Sequence, residues 1–405
     1  MDLEYGPEYD ALRDELRAFL AEAWPESQRD HAAAHGIDPQ AQRAFIAAAL
    51  ERKYLYCAIP TKYGGSEQPF DALRESIIAE SFNAAGAPWR LGAQGVGMIV
   101  PTLLEAGTEW QKEKFIPSTL RGEFVWCQGY SEPGAGSDLA SLRSTARLES
   151  DEWVINGHKV WTSDAADANY MFGMFRTEPD APKHGGISYL LMEMDQPGMD
   201  VRPLRQINGA THFYEVFFSD VRTPADWIVG ARGQGWQIGR INLKHERNLG
   251  GGSLTRNRFD SLVDLARSTR IDGRPAIERD DVRQRLAALD AKVRCCETLT
   301  LRQLSSAAND EQADDVLATL VNKLYNTDLG EEIVQTGYDL IGDRGLEAPK
   351  DSTWTTISGG GPDADWVDRF LFQLAGAIAA GSSNIQRNVI GERGLGLPRD
   401  LRSPR

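Results

Sequence analysis

Cysteine is scarce in this chain. Its four residues, Cys57, Cys127, Cys295 and Cys296, show no C-x-x-C spacing. That argues against a disulfide framework, and buried free thiols in a reducing compartment are expected. No metal is expected. Long apolar runs are missing too. No stretch approaches the ~20 residues that a membrane span needs, so no membrane association is expected. Basic blocks are absent, and the net charge is −15. A nucleic-acid partner is therefore not expected. The N-terminus, Met1-Asp2-Leu3-Glu4, is acidic and lacks the apolar segment of a secretory signal. The expected compartment is the cytoplasm. Internal repeats and low-complexity tracts are also lacking.

What remains is an ordinary globular composition, 41% hydrophobic and 25% charged over 405 residues. That length suffices for two or three domains. Leu12, Leu16, Phe19, Leu20 and Trp24 recur at helical spacing. Asp38-Pro39 reads as an N-cap and first helical residue, with Phe45, Ile46, Ala49 and Leu50 inward. Asp71 reads as the cap of a third helix, with Leu73, Ile77, Ile78 and Phe82 inward. Gly107 reads as the C′ residue of a longer helix. Thr108 and Gln111 have capping-box spacing. From Phe124 the period changes to strands. Asn156-Gly157 between two apolar runs predicts a two-residue hairpin turn. Helical periodicity returns after Gly235, with Leu262, Leu265, Leu286, Leu289 and Val293 inward. Residues 340–366 read as a long loop. The expected fold is α+β: an N-terminal helical domain (1–123), a middle antiparallel β domain (124–230) and a C-terminal helical bundle (231–405).

One stretch stands out, Tyr130-Ser131-Glu132-Pro133-Gly134-Ala135-Gly136-Ser137-Asp138. Its glycines permit close backbone approach and positive φ. Its hydroxyls and amides can donate to an anion or a polar ring edge. By spacing alone it is a surface turn at least as readily as a ligand loop. It is neither a P-loop nor a dinucleotide fingerprint. About fifteen residues on comes Trp153-Val154-Ile155-Asn156-Gly157-His158-Lys159-Val160-Trp161-Thr162-Ser163. Near the end stand Gly381-Ser382-Ser383-Asn384-Ile385-Gln386-Arg387 and Glu392-Arg393-Gly394-Leu395-Gly396-Leu397-Pro398. Together, in this order, these motifs resemble the acyl-CoA dehydrogenase family, from about residue 5 to the C-terminus.

The resemblance implies FAD-dependent α,β-dehydrogenation of an acyl-CoA thioester. A carboxylate removes the α proton, and the β hydrogen leaves as hydride to the flavin. Such chemistry needs a desolvated base, donors for the thioester oxygen and a flat flavin behind the substrate. By resemblance, Gln128, Tyr130 and Ser131 hold one flavin edge and Trp161, Thr162 and Ser163 the other. Gly136 and Ser137 lie near the pyrophosphate or the CoA. Gln335, Ser382 and Asn384 serve the adenosine end. His158 and Lys159 read as solvated hairpin charges, Asp138 as a local cap, and His245 has no assigned role.

Two departures from the family pattern matter. The usual base is a Glu in Y-E-G-T, and here that stretch is Ala379-Ala380-Gly381-Ser382. A second family pattern, L-x-x-E-R, matches Leu243-Lys244-His245-Glu246-Arg247. It makes Glu246 the base, with Arg247 beside the substrate or the carboxylate. Ala380 then keeps only its amide, a donor to the thioester oxygen. The segments that bind FAD from a neighbouring subunit match weakly, at Thr269–Gly273 and Gln335–Gly342. Steroid-side-chain-degrading heterotetramers divide the site in this way. The expected partners are acyl-CoA, electron-transfer flavoprotein and either a second copy or a related second subunit. A bulky, ring-bearing acyl group is expected. Two alternatives stay open: a non-catalytic partner subunit, and a flavin monooxygenase on the same fold.

Overall fold

The structure is a computed structural model that describes residues 6–247, 252–308, 316–349 and 365–398. The chain divides into two compact units, one of residues 1–204 with 212–249 and one of 205–211 with 250–405.

The first unit begins with helices α1 (Pro7–Ala23), α2 (Glu26–His35), α3 (Pro39–Glu51) and α4 (Ala72–Ala84). The expected apolar face of α1 is buried with Phe45, Ile46, Ile77, Ile78 and Phe82 in one core. Leu50 and Leu73 are only half-buried. Asp38 accepts from the amides of Gln40 and Ala41. Asp71 accepts from the Arg74 amide at 2.9 Å. Both are the caps that the sequence predicts.

Helices α5 (Val100–Ala106) and α6 (Glu109–Leu120) follow. Gly107 ends α5, but not as a left-handed C′ residue: its φ is −78°. Glycine fits there for space, since a Cβ would lie 2.8 Å from the Leu103 carbonyl oxygen. The capping box at Thr108 and Gln111 is formed. Gln111 also donates to the carbonyls of Asp226 and Ile228, tying α6 to the strands. Fully buried Phe115 packs edge-on against Trp126 and Trp227. This places α5 and α6 over the sheet.

The sheet has eight strands: β1 (Trp126–Gly129), β2 (Thr145–Glu149), β3 (Glu152–Ser163), β4 (Tyr170–Arg176), β5 (Ile187–Glu193), β6 (Met199–Leu204), β7 (Phe213–Pro224) and β8 (Ile228–Val229). The order is β6-β7-β3-β2-β4-β5-β8, with β1 alongside β4. Pairing is mostly antiparallel, and β1 runs parallel to β4. Asn156-Gly157 is not a hairpin turn. It lies inside the single long strand β3, at a register shift against β7. The Asn156 amide both donates to the Asp220 carboxylate and accepts from the Asp220 amide. A Cβ at Gly157 would come within 2.4 Å of the Ser144 Cβ. The side chain thus clamps a bulge and the glycine makes room for it. The turn sits at Ser150-Asp151, where Ser150 takes φ 56°.

Helix α7 (Gly235–Arg247) closes this unit against β5 and α5. Gly235 lies so close to Ser188 that a Cβ would sit 2.4 Å from its carbonyl carbon.

The second unit holds α8 (Gly252–Ser268), α9 (Asp280–Ala308) and α10 (Val316–Ile341), with shorter helices Trp366–Gln373 and Ser383–Val389. Leu262, Leu265, Leu286, Leu289 and Val293 are buried in its core, as the periodicity predicts. Thr269–Gly273, which compares poorly with the family wording, belongs to a small hairpin of its own. Arg270–Ile271 pairs with Arg274–Pro275 across Asp272-Gly273, both left-handed. Part of the expected long loop is ordered, because Gly342–Leu346 forms a 3₁₀ turn. Residues 350–364 lie outside the described residues.

Candidate active site

The distinctive stretch leaves β1 at Gly129 and crosses to β3. Ser131 is half-buried, and its carbonyl accepts from the Val160 amide at 2.9 Å. That one bond sets the two motif stretches side by side. Gly134 and Gly136 are exposed, and neither has the positive φ expected of it. A Cβ at either would meet nothing within 4 Å, so the backbone there is unobstructed. Ser137 is exposed beside them. Asp138 precedes the 3₁₀ turn Leu139–Ser141, where its carbonyl accepts from the Ser141 amide and its carboxylate from the Ser141 hydroxyl; it also pairs with Lys183 at 2.7 Å.

Trp161 is the outlier on β3. It is 61% exposed and takes φ 61°, beside a second register shift between Lys159 and Thr162. A left-handed, exposed tryptophan costs about 1–3 kcal/mol in backbone strain that the surrounding structure must offset. Phe213 meets it edge-on at 6.1 Å. Ser163 is half-buried, whereas Thr162 is fully buried and its hydroxyl has no partner among the described residues. An exposed aromatic plate, a half-buried hydroxyl and an unobstructed glycine loop fit a flat, polar-edged cofactor such as FAD.

Gln128 and Tyr130 do something the sequence did not suggest. Tyr130 is 5% exposed, and its hydroxyl donates to Asn242 Oδ1 at 3.0 Å. Gln128 donates to the same oxygen at 3.4 Å. Asn242 is fully buried on α7 and donates in turn to the Thr102 hydroxyl of α5. A satisfied buried polar network of this kind fixes helix rotation as well as helix position. Asn242 carries no motif signal, so sequence reasoning missed it.

Lys159 is the largest correction. It is not a solvated hairpin charge but is fully buried, because β3 continues through the supposed turn. Its Nζ donates to Glu132 at 2.8 Å, to the Met174 carbonyl at 2.8 Å and to the Tyr130 carbonyl at 3.1 Å. Burial pulls the ammonium down to about 8 despite the opposing pull of Glu132. Burial raises the Glu132 carboxyl, but Lys159 and the donors at Arg143 and Ser144 hold it below its usual range. His158 is also not simply solvated; it stacks on Phe217 at 4.1 Å and lies 2.9 Å from Glu215.

The backbone of Glu246 and Arg247 ends α7. The side chains of this expected base and its neighbour lie outside the described residues. His245, just before them, pairs with Glu105 at 2.6 Å.

In the second unit, Ala380 takes φ 51° and Gly381 φ 83°. Lys323 holds this turn through the carbonyls of Gly376 and Gly381. Ser382 caps the helix Ser383–Val389 by accepting from the Ile385 amide, while Asn384 is exposed. Gln335 donates to Asp339 and lines a cleft of about 420 Å³ with Arg285 and Glu332. A second cleft, of about 770 Å³, brings Thr269 and Arg270 together with Gly342 and Arg344. The two weakly matching segments are thus neighbours.

Family comparison covers most of the chain. The acyl-CoA dehydrogenase N-terminal, middle and C-terminal domain families match residues 6–123, 127–221 and 233–395. Acyl-CoA dehydrogenase IpdE1 of Mycobacterium tuberculosis is 38% identical over 346 residues, 85% of this chain and 84% of its own. Among solved structures, the Tcur3481-Tcur3483 steroid ACAD superposes with a TM-score of 0.78 at 29% identity, covering 99% of this chain and all of the other. The ChsE4-ChsE5 complex of Mycobacterium tuberculosis gives 0.77 at 28%, covering 98% and 100%. The chain belongs to the acyl-CoA dehydrogenase family, flavoprotein oxidoreductases of the CH–CH group. Among the described residues, no helix is long and apolar enough to cross a membrane.

Proposed function

We propose that the protein binds FAD and dehydrogenates an acyl-CoA thioester to its trans-2-enoyl product, passing electrons to an electron-transfer flavoprotein. The observation that carries this is the Ser131–Val160 bond, which sets the Ser131–Ser137 loop beside the exposed Trp161 and the Ser163 hydroxyl. When bound, FAD supplies the two-electron acceptor. Ser131 and Ser163 offer polar groups to its ring edge, and Trp161 offers an aromatic surface. Open backbone at Gly134 and Gly136 admits its phosphates or those of CoA. Glu246, at the end of α7, takes the α proton. The Ala380 amide, in a left-handed turn that Lys323 holds, donates to the thioester oxygen. Asn242 holds the rotation of α7 against Tyr130.

The substrate we propose is a bulky, ring-bearing acyl-CoA, of the steroid type for which the similar Tcur3481-Tcur3483 steroid ACAD is named. The small Ala379-Ala380 pair leaves room for it, since each added methylene buried in an apolar pocket is worth about 0.8 kcal/mol. We further propose a homo- or heteromeric assembly, as in the ChsE4-ChsE5 complex. The test is whether the purified protein is yellow and whether acyl-CoA bleaches it without oxygen. A colourless protein that takes up no FAD would overturn this reading.

A further inference from the structure

The Glu132–Lys159 pair lies where the two ligand-facing stretches meet. Glu132 Oε1 accepts from Lys159 and from the Ser144 amide at 2.9 Å, and Oε2 accepts from the Arg143 amide at 2.6 Å. One carboxylate therefore closes both ends of the loop that carries Gly134, Gly136 and Ser137. Lys159 stands two residues before Trp161 and also holds Tyr130, the residue before Ser131, by its carbonyl. Every donor on Nζ has an acceptor. Such a pair is expensive to bury, and an apolar isostere often stabilises a fold as well or better. Fold stability alone is thus a weak reason for it, whereas fixed geometry is a strong one.

We propose that Glu132 and Lys159 are a positioning pair for the flavin, fixing the Ser131–Ser137 loop against Trp161 and Ser163. This rests on the reading that the chain binds FAD. The double variant Glu132→Gln with Lys159→Met removes both charges at nearly constant volume. Its apoprotein should stay folded but melt below wild type, because the Tyr130 and Met174 carbonyls lose the Lys159 donor. Its FAD dissociation constant, measured by flavin fluorescence, should rise at least about tenfold, and the visible flavin band should shift. A rise of less than about tenfold overturns the proposal. If the double variant does not fold, Glu132→Gln alone is judged on the same scale, because Lys159 can then shed its proton. Wild-type protein that binds no FAD would sink the proposed function and this inference together. Equal binding by wild type and variant sinks this inference alone.

Discussion

At the scale of single residues, the proposed chemistry assigns the base to one carboxylate and the flavin's placement to one buried ion pair. Glu246→Gln should leave FAD bound and slow anaerobic flavin reduction by about 10²–10⁴-fold, the usual worth of a general base. Near-normal reduction by stopped flow would remove Glu246 from the mechanism. The ion pair makes a pH prediction. Burial lowers Lys159 to about 8, against an unfolded value near ~10.4. Between these values the unfolded chain binds more protons, so this group's contribution to stability rises with pH. The unfolding free energy of wild type, relative to Lys159→Met, should therefore climb from about pH 8 to about pH 10. A flat difference in chemical denaturation would place the Lys159 proton elsewhere. Glu132 has the opposite arrangement. Its lowered carboxyl contributes stability above the ordinary carboxylate range, and this is lost as pH falls through the folded value.

At the scale of elements, glycines separate packing from binding. A Cβ at Gly337 on α10 would meet the Trp366 ring at 2.0 Å. Gly337→Ala should cost about 1–3 kcal/mol or more by overpacking, visible as a lower melting temperature. Gly136→Ala should leave the apoprotein's melting temperature unchanged, because a Cβ there meets nothing within 4 Å. If the loop seats FAD, the same change should weaken FAD binding several-fold; unchanged affinity would exclude close approach at Gly136. Much of this architecture was legible in the chain. Asp38, Asp71 and the Thr108–Gln111 box mark helix starts by local hydrogen bonding, which sequence records directly. The heptad-like runs at Leu12–Trp24 and Leu262–Val293 record their cores. Asn156-Gly157 misled because its outcome is set by a distant residue, Asp220, which turns a hairpin signal into a bulge. The error carried Lys159 with it: a charge in a turn is solvated, and a charge within a covered strand is not. Asn242 was invisible because its partners, Tyr130 in the loop after β1 and Thr102 on α5, lie far from it in sequence. The expected base was legible only by resemblance.

At the scale of the whole molecule, the chain is a member of the acyl-CoA dehydrogenase family along most of its length. The account expects a multimer in solution with bound FAD. A monomer by light scattering that holds stoichiometric FAD would contradict the assembly while leaving the chemistry intact. Under the proposed function, this chain itself oxidises an acyl-CoA. Anaerobic titration of the purified, FAD-loaded protein with straight-chain C4 to C16 and ring-bearing acyl-CoA thioesters tests it most directly. The flavin absorbance should bleach, fastest with a ring-bearing thioester and about 10²–10⁴-fold more slowly in Glu246→Gln. Absence of bleaching by every thioester, with FAD fully bound, would contradict it.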